Sequence, residues 1–152
     1  MKTNDYVGKS FYNNSILVRC ACGSHFMEIY KFQDLQNNIT YGIDWHSFYN
    51  YKKYKFPNFE FLCDGDFEFF CNTIAAFSND LSPFDTPNCL YTIVNLKNGK
   101  SKRNGRLEIN SDEFGYLNFI RYDKYEKGKI IWDLSIEKDE LIKLNEKLKL
   151  FN

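Results

Sequence analysis

Two amphipathic helical stripes constrain this chain more than any other feature. Phe67, Phe70, Ile74 and Phe77 recur at i, i+3, i+7 and i+10, which predicts a helix over 65–78 with a single apolar face. Leu141, Leu144, Leu148 and Phe151 form a second stripe at the C-terminal end. Burying a side chain of this size is worth about 1.5–3 kcal/mol. Each helix therefore has to lie against another apolar layer.

The chain before each stripe supplies that layer. Ile39, Tyr41, Ile43 and Trp45 alternate with Thr40, Gly42, Asp44 and His46, the period of two of a half-buried strand. Shorter runs of the same kind are predicted at 16–20, 26–32 and 59–63 in the first half. In the second half they fall at 89–96, 106–110, 116–122 and 129–136. Gly23 stands where a hairpin needs a residue tolerant of positive φ, and 34–38 is a polar turn. Asp64 is expected to cap the first helix and Ser135 the second. The chain carries 15 Phe, 11 Tyr and 2 Trp in 152 residues, and such aromatic excess suits pleated, half-buried surfaces.

The predicted fold is therefore α+β. Two tandem units, each of antiparallel strands followed by one amphipathic helix, share a core. A lead-in spans 1–15, the first unit 16–80, a proline-containing linker 81–88 and the second unit 89–152, the whole compatible with one compact domain. The halves also match as sequence. FMEIYKFQ (26–33) lies over YLNFIRYD (116–123), ITYGIDW (39–45) over IIWDLSI (130–136), and LVRC (17–20) over LEIN (107–110). This register predicts an internal duplication.

Charge and motifs narrow the function. The formal net charge is zero, with 7 Lys+Arg against 9 Asp+Glu in residues 1–80 and 13 against 11 in the rest. That balance argues against the basic excess that drives nonspecific nucleic-acid binding. No run approaches the roughly 20 apolar residues of a membrane span. The N-terminal stretch MKTNDYVGKS lacks the apolar core of a secretory leader. With an odd count of five cysteines, this points to a cytoplasmic protein with reduced thiols. Cys20, Cys22 and His25 are possible zinc ligands, with Cys63 or Cys71 as a fourth. Two cysteines one residue apart on a strand read more simply as small packed residues at a hairpin corner. No metal or cofactor is expected. Cys22 with His25 or His46 would make a nucleophile–base pair, but no third group or oxyanion hole is evident, and no phosphate-binding glycine loop or paired carboxylate occurs. The expectation is a protein that is not an enzyme.

Two basic stretches remain. Tyr49, Tyr51, Lys52, Lys53, Tyr54, Lys55 and Phe56 interleave rings with cations. Lys97, Lys100, Lys102, Arg103 and Arg106 cluster in a glycine-punctuated loop. Such mixtures serve single-strand binding by stacking and phosphate neutralisation, and equally serve protein interfaces. The string CACGSHFMEIYKF resembles the opening of small uncharacterised proteins of phages and prophages of low-GC bacteria, over about residues 16–78. The resemblance implies a phage context. The second half has Asn110, Ser111 and Asp112 where the cysteines would fall. Four strands and a helix, repeated and paired, are similar in topology to Whirly-type and Pur-type single-stranded nucleic-acid binders. The expected function is a non-enzymatic phage or mobile-element protein that inhibits a host protein or nucleoprotein complex, in its concrete form an anti-CRISPR-like inhibitor acting in the host cytoplasm. The alternatives are a single-stranded nucleic-acid binder and a toxin immunity protein.

Overall fold

A computed structural model describes residues 14–47, 59–61, 64–79, 90–96, 103–123 and 126–151, with the backbone alone for 90–96 and 103–106. The first unit runs β1 (Asn14–Arg19), β2 (His25–Gln33), β3 (Ile39–Ser47), β4 (Phe59–Glu60) and α1 (Asp64–Asn79). The second runs β5 (Leu90–Leu96), β6 (Arg103–Ser111), β7 (Leu117–Tyr122), β8 (Ile130–Ile136) and α2 (Lys138–Lys149). Each set of four strands is an antiparallel sheet in sequence order, β1-β2-β3-β4 and β5-β6-β7-β8. The α+β architecture of strands followed by a helix, twice, is what the sequence pattern requires.

One face of the first sheet carries Ile16, Val18, Met27, Ile29, Ile43 and Phe59, all buried. The matching face of the second carries Leu107, Ile109, Leu117, Phe119, Trp132, Leu134 and Ile136. These join the stripes of both helices in one core. The α1 stripe is Phe67, Phe70, Ile74 and Phe77, and the α2 side supplies Leu141, Leu144, Leu148 and Phe151, all as the sequence predicts. Aromatic rings pack within the first unit and across to the second. Tyr41 of β3 stacks on Phe67 with centroids 4.0 Å apart, Phe67 lies 5.9 Å from Phe151, and Phe70 lies 6.4 Å from Phe119. Arg121 is buried in this core. Its guanidinium sits 5.3 Å from the centre of the Phe59 ring and donates from Nη1 to the Tyr122 carbonyl at 2.8 Å. Burial pushes its pKa down to about 10, against the opposing pull of Asp123.

Several sequence expectations are corrected. Asp64 is the first residue of α1, not its cap. Ser135 does not cap α2. It belongs to β8, where its hydroxyl donates to Asn118 Oδ1 at 2.6 Å, and Glu137 occupies the cap position without a side-chain bond. Arg103 and Arg106 are strand residues of β6, paired with Leu96 and Val94. The sheet extends through them because the ladder absorbs a register shift at Asn95/Leu96.

The largest correction concerns the repeat. The sequence match sets β2 over β7 and β3 over β8, but strand order sets β2 over β6 and β3 over β7. The turns confirm the second register. After β2, Asp34 Oδ1 accepts the amides of Gln36 (2.8 Å) and Asn38 (2.9 Å), Asp34 N–H donates to the Asn38 carbonyl, and Asn37 has φ 66°. After β6, Asp112 Oδ1 accepts the amides of Phe114 (2.9 Å) and Tyr116 (3.1 Å), Asp112 N–H donates to the Tyr116 carbonyl, and Gly115 has φ 87°. A constant offset of 78 residues carries Asp34 onto Asp112 and His25–Gln33 onto Arg103–Ser111. The sequence match is one strand out because any two alternating strands superpose at period two, and because the two-residue β4 gives almost no signal.

Candidate functional site: the Cys–His turn and the two hairpin tips

The Cys-x-Cys-Gly-Ser-His segment lies in the turn between β1 and β2. Gly23 has φ 79°, a conformation that favours glycine, and its amide donates to the Cys20 carbonyl at 2.9 Å. The two cysteines are therefore not neighbours on a strand, as the sequence reading assumed. The turn folds their sulfurs toward one another while sending them to different environments: Cys20 is buried and Cys22 exposed. The packed-corner expectation fits Cys20 and fails for Cys22.

This turn also fastens the first unit to the free edge of β8. The Ala21 amide donates to the Ser135 carbonyl at 2.7 Å, and the Ser135 amide reaches Cys20 Sγ at 3.5 Å. Trp45 of β3 adds a third link, its indole Nε1 donating to the Asp133 carbonyl at 3.1 Å. An edge strand left open invites pairing with another chain, and these bonds cover part of the edge of β8.

The polar atoms of the turn converge. Cys22 Sγ lies 3.0 Å from Ser24 Oγ and 3.5 Å from His25 Nδ1, and Ser24 Oγ lies 3.4 Å from the same nitrogen. The His25 ring packs on Trp45 with centroids 4.8 Å apart, and its Nε2 is buried without a hydrogen-bond partner. Hydrogen bonding from the Ser24 side chain and backbone holds the Cys22 thiol below its usual range. Burial pushes the Cys20 thiol up, opposed by the amides of Ser135 and Cys22. Burial also lowers the pKa of His25, opposed by nearby Asp133, so the ring favours its neutral form near pH 7.

A second polar cluster, missed by sequence reasoning, lies on the other face of the first sheet. Glu28, Asp44 and His46 bring their side-chain atoms within 4.8 Å of one another. His46 Nε2 is 3.3 Å from Glu28 Oε1, and His46 stacks on Phe26 at 4.8 Å. The cross-strand pairs Glu28–Asp44 and Phe26–His46 place these residues together. Knowledge of that register, which the alternation in β2 and β3 contains, would have found them.

The remaining exposed apolar side chains include two that belong to the repeated turns. Leu35 is fully exposed at the tip of the β2–β3 hairpin, with Phe32 and Ile39 partly exposed at its base, and Phe114 is 76% exposed at the tip of the β6–β7 hairpin. The amides of Asn38 and Gln36 hold the Asp34 carboxyl below its ordinary pKa, and Asp112 is lowered by the Asn118 side chain and the amides of Tyr116, Phe114 and Gly115 against the effect of burial. Both tips are thus fixed by an ionised aspartate.

Tyr49, Tyr51, Lys52, Lys53, Tyr54, Lys55, Lys97, Lys100 and Lys102, expected as partner contacts, lie outside the described residues, as does Cys63. Only the backbone of Arg103 and Arg106 is described. No described helix is long and apolar enough to cross a membrane.

Comparison with protein-family models, with curated proteins and with solved structures finds no match to this chain.

Proposed function

We propose that the protein is a non-enzymatic binding protein that engages a host protein or nucleoprotein partner through its hairpin tips. The observation that carries this reading is the repeated tip. Each unit holds a five-residue turn rigid with an aspartate that accepts two backbone amides, and each turn presents a large apolar side chain to solvent, Leu35 in one and Phe114 in the other. Apolar anchors on a pre-ordered backbone lose little conformational entropy on docking, which favours protein recognition. The basic-aromatic stretches 49–56 and 97–102 are additional proposed contacts. In its concrete form the partner is a host defence complex such as a CRISPR nuclease, a step resting on the resemblance of residues 20–32 to phage proteins.

The test is affinity capture from bacterial lysate, with and without nuclease, by the wild type and by a Leu35→Asp/Phe114→Asp variant. The expected result is a partner retained by the wild type after nuclease treatment and lost by the variant. Equal retention by both would remove the assignment to the tips.

One observation favours a second reading. Two units of four antiparallel strands and a helix are compatible with the likeness to Whirly-type and Pur-type proteins read from the sequence. Single-strand binding through the basic stretches would then give micromolar or tighter affinity that falls steeply with salt. A labelled oligonucleotide whose fluorescence anisotropy stays flat at low ionic strength excludes it.

A further inference from the structure

We propose that Cys20, Cys22 and His25 form a zinc site, binding the metal through two thiolates and Nδ1 of the imidazole, with water in the fourth position. The ligand atoms of the three residues all lie within 4.8 Å of one another. Tetrahedral zinc, with Zn–S near 2.3 Å and Zn–N near 2.0–2.1 Å, sets sulfur and nitrogen about 3.5 Å apart. Cys22 Sγ and His25 Nδ1 are 3.5 Å apart.

Three surrounding features suit such a site. First, the sulfurs face backbone amides: Ser135 N–H lies 3.5 Å from Cys20 Sγ, the Cys22 amide also faces Cys20, and the Ser24 amide faces Cys22. Amides directed at sulfur stabilise thiolates and orient them as ligands. Second, His25 Nε2 is buried and makes no hydrogen bond. A metal on Nδ1 fixes the proton on Nε2, and a ligating histidine ordinarily gives that proton to a carbonyl or carboxylate. Asp133 is the neighbour that offers both. Third, Cys22 is exposed, so the metal has a route in and the fourth position faces water. Water completes the four-coordinate tetrahedron that zinc takes with these three protein ligands.

The charges balance. Zn²⁺ with two thiolates and a neutral imidazole is neutral, and the two thiol protons leave to solvent as the metal enters. The Glu28–Asp44–His46 cluster is the weaker candidate, because its histidine is already bonded to Glu28 and both residues are buried. The zinc site would also serve as a clamp. Its ligands sit in the turn that holds the edge of β8, so metal binding should tighten the join between the units.

The inference is independent of the proposed binding function. The turn and the β2–β3 tip lie at opposite ends of the nine-residue β2, about 27 Å apart at the rise of a strand. The experiment uses the full chain, purified under reductant and stripped with a chelator. It is titrated with cobalt(II) chloride by absorbance and with zinc chloride by calorimetry. The expected result is saturation at one equivalent, a thiolate-to-cobalt charge-transfer band displaced by zinc, and a higher melting temperature with zinc. Cys22→Ser and His25→Ala should each weaken zinc binding by at least about 100-fold, since loss of supporting outer partners alone costs about 10–100-fold. Cys22 is exposed, so circular dichroism of Cys22→Ser should match the wild type. No saturable binding, a cobalt spectrum without the charge-transfer band, or full affinity in Cys22→Ser would overturn the proposal.

Discussion

At the residue scale, Gly42 shows how one missing atom shapes a sheet. It pairs with Tyr30 across β2 and β3, and a Cβ added there would fall on the Tyr30 ring. The hydroxyl end of the ring occupies that space, and both residues are buried. Overpacking of this kind costs about 1–3 kcal/mol. Gly42→Ala should lower the unfolding free energy by that amount, seen as a lower urea midpoint with an unchanged slope. An unchanged midpoint would mean that the ring moves freely.

Asp34 makes a pH prediction. Its carboxyl is lowered by the amides of Asn38 and Gln36, from an ordinary value of 3.8. A depressed acid contributes order that is complete above its unfolded pKa and is lost as pH falls through the folded value. The amide resonances of Gln36 and Asn38 should therefore hold constant at neutral pH and shift only below about pH 4. Asp34→Ala should show the acid-form shifts at every pH. If these amides titrated near neutrality, the carboxylate would not be what holds the tip.

At the element scale, the two helices were the most legible part of the sequence. Their stripes are long, strictly spaced and buried as written, because a 3.6-residue period over a dozen residues has few other readings. Strand positions were legible to within a few residues from their period of two. Cap assignments were not. Ser135 has the chemistry of a cap, but Asn118, a neighbour only through the β7–β8 ladder, takes its hydroxyl. The turn chemistry that defines the repeat was equally hidden, since Asp34 and Asp112 look like any polar loop residues until their amide partners are known. Trp45 illustrates the same limit. Its place in β3 could be read from alternation, but its bond to Asp133, 88 residues away, could not. Trp45→Phe keeps an aromatic side chain in β3 but removes the indole N–H and part of its packing on the core, at an expected cost of at least about 0.5–1.5 kcal/mol, measured by thermal or urea unfolding. A cost near zero would show that the indole bond does not help join the units.

At the scale of the whole molecule, one scaffold is used twice. Four strands, an aspartate-locked turn between the second and third, and a helix recur in the same order, with one offset of 78 residues through the second strand, that turn and the start of the third. The copies keep the tip in common and diverge at the turn between their first two strands. Only the first has the Cys–His turn, and it uses that turn to grip the edge of the second. The candidate site was partly legible: the turn announced itself by residue type, whereas its burial split, its docking on β8 and the exposed tips all depend on contacts between distant segments.

The central claim is that the tips make the partner contact. The most direct measurement is the affinity of the captured, purified partner for the wild type and for Leu35→Asp. Leu35 is fully exposed, so the substitution should change stability by no more than about 0.5 kcal/mol. Unfolding should be unchanged and the dissociation constant raised at least about tenfold, the loss expected of an interface anchor. An unchanged dissociation constant for both Leu35→Asp and Phe114→Asp would contradict the claim.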